Sequence, residues 1–384
     1  MSNLNTEIKH VLFLTGTRAD FGKIKSLLNI LENDSNFSVH IFITGMHMHR
    51  LYGETYMEVE ACGYRNIYKY INQTSETTMD LTLSKTIEGL SSYIREFPVD
   101  MIVVHGDRVE TLAGAVVGSL NNILVAHIEG GEVSGTIDDL IRHAVTKMSH
   151  IHFVSNDDAK QRLIQLGESK EAVFDIGSPD MDVMFSDTLP SLFDVKKHYE
   201  IEFDKYGIVM YHPVTTEYEI TDINAKKFVN ALIKDQNNYV VIYPNNDLGS
   251  NYILKEYRRF EQNKKFRIFP SIRFEYFLTL LKHSDFVIGN SSAGIREAPA
   301  YGIPSINIGS RQQKRAFAPS IINCNDDKNA ILKSIEMAKS LKTEKSMLFG
   351  KGSSCVEFHE ILSQKQIWET SKQKSFNDIK MVSK

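Results

Sequence analysis

The segment HIEGGEVSGTIDD (127–139) places Glu129, Glu132, Asp138 and Asp139 within eleven residues that also contain three glycines. Carboxylates forced together in a cleft raise one another's pKa, so that one can serve as an acid while another serves as a base. At least one of the four is expected to be only a helix cap or a solvated loop carboxylate. HGDR (105–108) ends an apolar run and adds Asp107 and Arg108 at a strand end, where polar side chains can meet a ligand. A capping role for Asp107 is the competing reading.

A second group of motifs suits an anion. TGTRADFGK (15–23) follows the first apolar run and opens a helix, so its amides could cradle a phosphate that Arg18 and Lys23 neutralise. The pattern is neither GxGxxG nor a Walker loop, and a tight turn with two solvated bases fits it as well. GNSSAGIREAPAYGIP (289–304) is more specific: a strand ends in Gly289, Ser291 and Ser292 follow, and a helix starting there would offer amides and a positive dipole end to a diphosphate. Glu297, one to two turns inside that helix, could accept from ribose hydroxyls, and Arg311 could bind phosphate or be a surface residue. HPVTT (212–216) sets His212 at a strand end, and YPNND (243–247) offers Asn245, which could equally be a turn residue. No metal is expected: the pairs His47 and His49, and His150 and His152, have i,i+2 spacing but no third ligand of suitable chemistry.

These motifs sit at the ends of short apolar runs. VLFLTG (11–16), VHIFITG (39–45), MIVVHGD (101–107), ILVAHIEGG (123–131) and IHFVSN (151–156) read as buried parallel strands. Residues 81–97 and 140–148 between them have the three- and four-residue apolar spacing of amphipathic helices. Residues 178–194, with two prolines, break this rhythm and form the linker candidate. A second strand series follows at 207–213, 239–247, 266–271, 286–292 and 304–310. The expected fold is α/β, with two Rossmann-like domains and a ligand site in an interdomain cleft. The boundaries are a domain of 1–182 carrying the acid and base residues, a domain of 183–365 for the nucleotide, and a helix and frayed tail of 366–384.

Composition narrows the partners. With 384 residues and 42% apolar and 24% charged content, the chain should fold, and as more than one domain. Its net charge of −4 gives no basic field for nucleic acid. The three scattered cysteines suit a reducing cytoplasm, and no run is long enough to span a membrane.

Taken in order over residues 15–312, TGTRADFGK, VVHGDR, HIEGGEVSGTIDDLIRHA, HPVTT, YPNND, GNSSAGIREAPAYG and GSRQ resemble the hydrolysing UDP-N-acetylglucosamine 2-epimerases of sialic acid biosynthesis. The resemblance implies a glycosyltransferase-B-like fold and conversion of UDP-N-acetylglucosamine to UDP and N-acetylmannosamine, through elimination to a glycal and rehydration. It implies no cofactor, a UDP-sugar as the partner, and a homo-oligomer, dimer or tetramer. Carried onto matching positions, the family's diphosphate and uridine contacts fall on Arg18, His212, Asn245, Ser291, Ser292, Glu297 and Arg311, with Arg108 near the sugar-phosphate. Its acid and base candidates fall on Asp107, Glu129 and Asp138, with His212 sharing a proton. Gly22 stands where some relatives have a serine, so one phosphate contact is absent there. Close relatives act on UDP-2,4-diacetamido-2,4,6-trideoxy-glucose with the same motifs, so that substrate is the alternative. A glycosyltransferase or a non-catalytic nucleotide-sugar-binding protein are the less favoured readings.

Overall fold

A computed structural model describes residues 7–74, 77–134, 137–312 and 318–378. The chain divides into two compact units: Met1–Glu132 with Asp138–Phe185 and Phe349–Lys384, and Val133–Ile137 with Ser186–Leu348.

The first unit is a parallel sheet of β1 (Lys9–Thr15), β2 (Phe37–Ile43), β3 (Asn66–Lys69), β4 (Met101–His105), β5 (Leu124–Ile128), β6 (Ile151–Val154) and β7 (Val173–Asp175). Their order is β3-β2-β1-β4-β5-β6-β7, so the direction of winding reverses between β1 and β4. That reversal opens a crevice at the carboxyl ends of the two strands, where Thr15 leads into Gly16 and His105 into Gly106. The β-branched runs are central because both faces of the sheet are covered: Val11, Phe13, Val103, Ala126 and Phe153 are buried in one core with Leu27, Leu28 and Leu31 of the helix Arg18–Glu32.

The second unit repeats the plan with β8 (Gly207–Met210), β9 (Tyr239–Ile242), β10 (Phe266–Phe269), β11 (Phe286–Gly289), β12 (Ser305–Ile308) and β13 (Ile321–Cys324). The order β10-β9-β8-β11-β12-β13 puts its reversal between β8 and β11. Gly289 closes β11 at φ 143, and a Cβ there would lie 2.0 Å from the carbonyl oxygen of Met210 on β8, so the strands can meet at this point only with glycine.

The ten strands expected from apolar runs are present, and three others escaped that reading. β3 and β7 are the edges of the first sheet and β13 is one edge of the second, and they carry no long apolar run, because an edge is covered less than the centre; β10, the other edge of the second sheet, lies in the expected run at 266–271. The boundary between units falls at Phe185 and Ser186, inside the expected linker, yet the linker is not extended. Its first part is a helix, Pro179–Met184, with Pro179 at the first helical position, where a missing N–H costs nothing, and with Asp180, Met181 and Met184 buried.

The expected domain of 183–365 loses its end. Residues from Phe349 onward pack with the first unit: Phe358 of the helix Ser354–Leu362 is fully buried against Phe13 and Phe153, with ring centroids at 6.3 and 4.8 Å. Asp182 caps that helix, accepting from the amides of Ser354 and Cys355 at 2.8 and 2.7 Å. The tail beyond Trp368, expected to be frayed, is tied down as far as it is described. Lys374 Nζ reaches the carbonyls of Thr146 and Ser149 at 2.9 and 2.7 Å and the Glu168 carboxylate at 2.5 Å.

Candidate active site

In the first unit, polar side chains converge at the ends of β1, β4 and β5. Asp20, in the first turn of the helix Arg18–Glu32, accepts on one oxygen from the Thr15 hydroxyl at 2.8 Å and the Gly16 amide at 3.1 Å. Its other oxygen lies 2.7 Å from Nδ1 of His105, the last residue of β4. On the far side of the imidazole, Nε2 lies 3.3 Å from a carboxylate oxygen of Glu129, an ion-pair contact not aligned as a hydrogen bond. The other oxygen of Glu129 accepts from the Ser178 hydroxyl. Burial would lower the His105 pKa, but Glu129 and Asp20 together hold it up at about 10, so the ring is an imidazolium at neutral pH. Burial pushes Asp20 up, yet bonding to His105, Thr15 and Gly16 leaves it below the ordinary carboxylate value.

Glu129 takes a left-handed backbone conformation, φ 64, unusual for a side chain other than glycine or asparagine. Its amide bonds the Phe153 carbonyl on β6 at 2.9 Å, which anchors the turn. Gly131 beyond it is required by space, because a Cβ would lie 2.3 Å from the Ala159 carbonyl oxygen.

The other carboxylates gather on Arg142, which is 1% exposed on the helix Ile137–Met148. Its guanidinium donates to Asp107 and Asp139, to the latter at 2.9 Å, and to the Glu132 carbonyl at 3.1 Å. Burial disfavours the charged guanidinium, but Asp107, Glu132, Asp139 and Asp138 raise its pKa beyond the ordinary value. Asp138 is half-buried in the first turn of the same helix. Glu132 also accepts from Ser155 at 2.7 Å and, like Glu129, is buried. His127 is buried and neutral, its pKa pushed down to about 3 by burial, and its Nε2 donates to the Gly106 carbonyl at 2.8 Å beneath the turn that carries Asp107.

The expected cations are less uniform. Arg18 forms a two-pronged pair with Glu58, one contact being 2.9 Å. Arg108 lies 3.2 Å from the buried Glu110. Lys23 is directed into the protein with Phe21 and Ile24, where it meets the fully buried Asp180 at 3.0 Å.

In the second unit, the ends of β8, β9, β11 and β12 bring together His212, Asn245, Ser291, Ser292 and Arg311. Asn290 fixes His212 through both backbone groups, donating to its carbonyl at 2.9 Å and accepting from its amide at 2.7 Å. His212 Nδ1 accepts from the Asn245 amide at 3.0 Å, so the proton of the neutral ring is on Nε2. Asn245 donates to Asp247 at 2.5 Å, while its own Oδ1 is buried without a partner. Arg311 reaches the Asn290 carbonyl at 3.3 Å.

The long helix expected after Ser291 is not continuous. Ser291 caps a single 3-10 turn, Ser292–Gly294, and a separate five-residue helix, Glu297–Tyr301, follows. Pro299 has no amide to donate and Gly294 weakens a helix interior, so the turns cannot merge. Glu297 is therefore the first residue of its helix, and it is buried.

His105, Asp20, Arg142, Ser178 and Asn290 had been given no role. Asp20 and His105 stand inside the TRADFGK and HGDR motifs, a signal that was present; Ser178 lies 49 residues from Glu129 and only folding reveals the pair. His47, His49, His150 and His152 are all engaged in hydrogen bonds, including Thr55 on His47 at 2.7 Å and Glu168 on His152 at 3.0 Å.

Two parallel α/β units with acids at one set of strand ends and a His-Asn-Ser-Arg set at the other define a nucleotide-sugar enzyme of the glycosyltransferase-B-like class. The sequence profile of the UDP-N-acetylglucosamine 2-epimerases matches residues 29–363, and the chain belongs to that family. It is 48% identical over 378 residues to the UDP-N-acetylglucosamine 2-epimerase of Neisseria meningitidis serogroup B, covering 97% of this chain and 100% of that one. It is 31% identical to the hydrolyzing UDP-N,N'-diacetylbacillosamine 2-epimerase of Legionella pneumophila, covering 92% and 96%. Among solved structures, the UDP-GlcNAc 2-epimerase of Methanocaldococcus jannaschii, in complex with UDP-GlcNAc and UDP, superposes with a TM-score of 0.77 at 22% identity over 92% of this chain and 99% of that one, which speaks for the fold. Among the described residues no helix is long and apolar enough to cross a membrane.

Proposed function

We propose that the protein is a hydrolysing 2-epimerase that converts UDP-N-acetylglucosamine and water to N-acetylmannosamine and UDP, the supply step for a sialic acid. The observation that carries this reading is the pair Asp107 and Glu129 at the ends of β4 and β5, each set against a buried cation, Arg142 and His105. In the first half-reaction a carboxylate takes the C2 proton, the C1–O bond breaks with its electrons going to the β-phosphate, and a C1=C2 glycal remains. Water then adds at C1 while a proton returns to C2 from the opposite face, which inverts the acetamido carbon. Asp107 and Glu129 move these protons and Asp138 supports them.

The second unit supplies the nucleotide contacts: His212, Asn245, Ser291, Ser292, Glu297 and Arg311 for the diphosphate and uridine, with His212 also sharing a proton. Arg18 and Arg108 add positive charge from the first unit. Lys23, expected as a further phosphate contact, pairs with Asp180. A homo-oligomer, dimer or tetramer, working in the cytoplasm without a cofactor belongs to the same reading.

The identity of 48% to the meningococcal enzyme against 31% to the Legionella one favours UDP-N-acetylglucosamine over the diacetamido sugar. Incubation of the purified protein with each sugar in deuterated water, followed by proton NMR, tests both. Free N-acetylmannosamine deuterated at C2 supports the proposal; turnover of the diacetamido sugar alone changes the substrate, and turnover of neither removes the enzyme reading.

A further inference from the structure

Glu129 is 5% exposed, and burial alone favours the neutral form of a carboxylic acid. A proton acceptor for a weakly acidic C–H must instead be a carboxylate at working pH. A group able to offset the effect of burial is His105, which lies between Asp20 at 2.7 Å and Glu129 at 3.3 Å. We propose, on the basis of the functional reading above, that His105 is a positioning residue: clamped by Asp20 as a permanent imidazolium, it keeps Glu129 in the carboxylate form and so makes Glu129 the group that takes the C2 proton.

The supports of this line are all internal to one unit. Asp20 cannot swing away, because the Thr15 hydroxyl and Gly16 amide hold its second oxygen at 2.8 and 3.1 Å. Thr15 is held in turn by His47 Nε2 at 3.1 Å, and His47 by Thr55 at 2.7 Å. The His105 carbonyl accepts from Thr111 at 2.9 Å, which fixes the end of β4. From the other side, Ser178 donates to Glu129. Titratable groups among the described residues around the line include His127 within β5 and His47, both held neutral by burial, Arg18 acting on His47, Arg142 acting on His127, and the Lys23–Asp180 pair beside Ser178.

The electron and proton balance is simple. The C2–H bond breaks and its proton goes to a Glu129 oxygen, the C–H electron pair forms the C1=C2 bond, and the C1–O pair leaves with UDP. Neutralised Glu129 loses its charge pairing with the imidazolium, so the proton is held only transiently and the carboxylate is restored by release to water. His105 itself keeps its proton throughout, held by Asp20.

The test compares wild type with His105→Gln and Asp20→Asn in the full-length protein, after thermal unfolding has shown that each variant folds. In His105→Gln the acidic limb of the kcat–pH profile should move up by about one pH unit or more, while KM and the UDP Kd stay within about threefold. Asp20→Asn should shift it the same way by less. A lower kcat with an unmoved acidic limb in both variants makes His105 only a packing residue and overturns the proposal. A second readout is independent of turnover: nitrogen-15 NMR of the imidazoles, with His105 assigned from its variant. His105 should remain charged at pH 8 in wild type and titrate at lower pH in Glu129→Gln. A ring neutral at pH 8 in wild type overturns the clamp, whatever the enzyme acts on. If wild type turns over neither sugar but the ring is charged and depends on Glu129, the functional reading fails and the clamp stands.

Discussion

Arg142 on the helix Ile137–Met148 donates to Asp107 at the end of β4, 35 residues away in sequence, and the same guanidinium holds Asp139 at 2.9 Å. Two acids of the candidate site are thus aligned by one buried cation, while Glu129 is aligned by another. Two carboxylates on neighbouring strands, each with its own counter-charge, can stay ionised where an unpaired set would force one to protonate.

Arg142 is therefore expected to resist even conservative change. Arg142→Lys keeps the charge but loses the planar fork that spans Asp107 and Asp139 and the Glu132 carbonyl. Turnover should fall by about tenfold or more with UDP affinity nearly unchanged. Arg142→Met leaves the acids unpaired, and because Asp107 and Asp139 are partly solvated the loss of stability should be about 2–3 kcal/mol, below the value for fully buried pairs. Denaturant unfolding and steady-state kinetics on the same preparations check both, and a fully active Arg142→Met would remove Arg142 from the site.

Asp107→Asn and Glu129→Gln keep shape and lose basicity. Each should reduce kcat by roughly 10²–10⁴-fold while the UDP Kd, measured by calorimetry, stays near wild type. Wild-type turnover in both variants would mean that the acids only hold the turn together.

Much of this arrangement was legible in the chain. Ten strands show as apolar runs because central parallel strands are buried on both faces, and the acids and phosphate-type motifs fall at their ends. What was hidden depends on distance. Ser178 reaches Glu129, Phe358 fills the space between Phe13 and Phe153, and Lys374 meets Glu168, and no local pattern encodes such partners. Lys23, which beside Arg18 in a phosphate-like turn reads as a ligand, has Asp180, 157 residues away, as an ion-pair partner that no local pattern shows. β3, β7 and β13, all at sheet edges, were missed because half-exposed residues such as those of β3 carry little hydrophobic signal.

Arg311 lies against the Asn290 carbonyl, next to the backbone that fixes His212, which supports the proposal that its cation contacts the nucleotide. Arg311→Ala should weaken UDP binding by about tenfold to a hundredfold, the range of a lost charged hydrogen bond. Isothermal titration with UDP measures this directly, and an unchanged Kd would put Arg311 outside the binding set.

The tail supplies a pH dependence that is separate from catalysis. Glu168 has a buried carboxylate that meets Lys147 at 2.8 Å, Lys374 at 2.5 Å and His152 at 3.0 Å. Burial raises its pKa, but His152 and the two lysines outweigh that and bring it to about 2. A carboxyl lowered on folding stabilises the native state above its unfolded value, and that stabilisation is lost as pH falls through the folded value. Glu168 should therefore contribute fully above about pH 4.5 and progressively less between there and pH 2. Glu168→Gln should lower the Tm clearly at pH 6, and the gap to wild type should narrow as pH falls from 4.5 toward 3. Lys374→Met should show a smaller gap with the same trend, since Lys147 still faces the carboxylate. A gap that is constant across this range would mean that the tail is held by its carbonyl contacts to Thr146 and Ser149, and that the ion pair adds nothing.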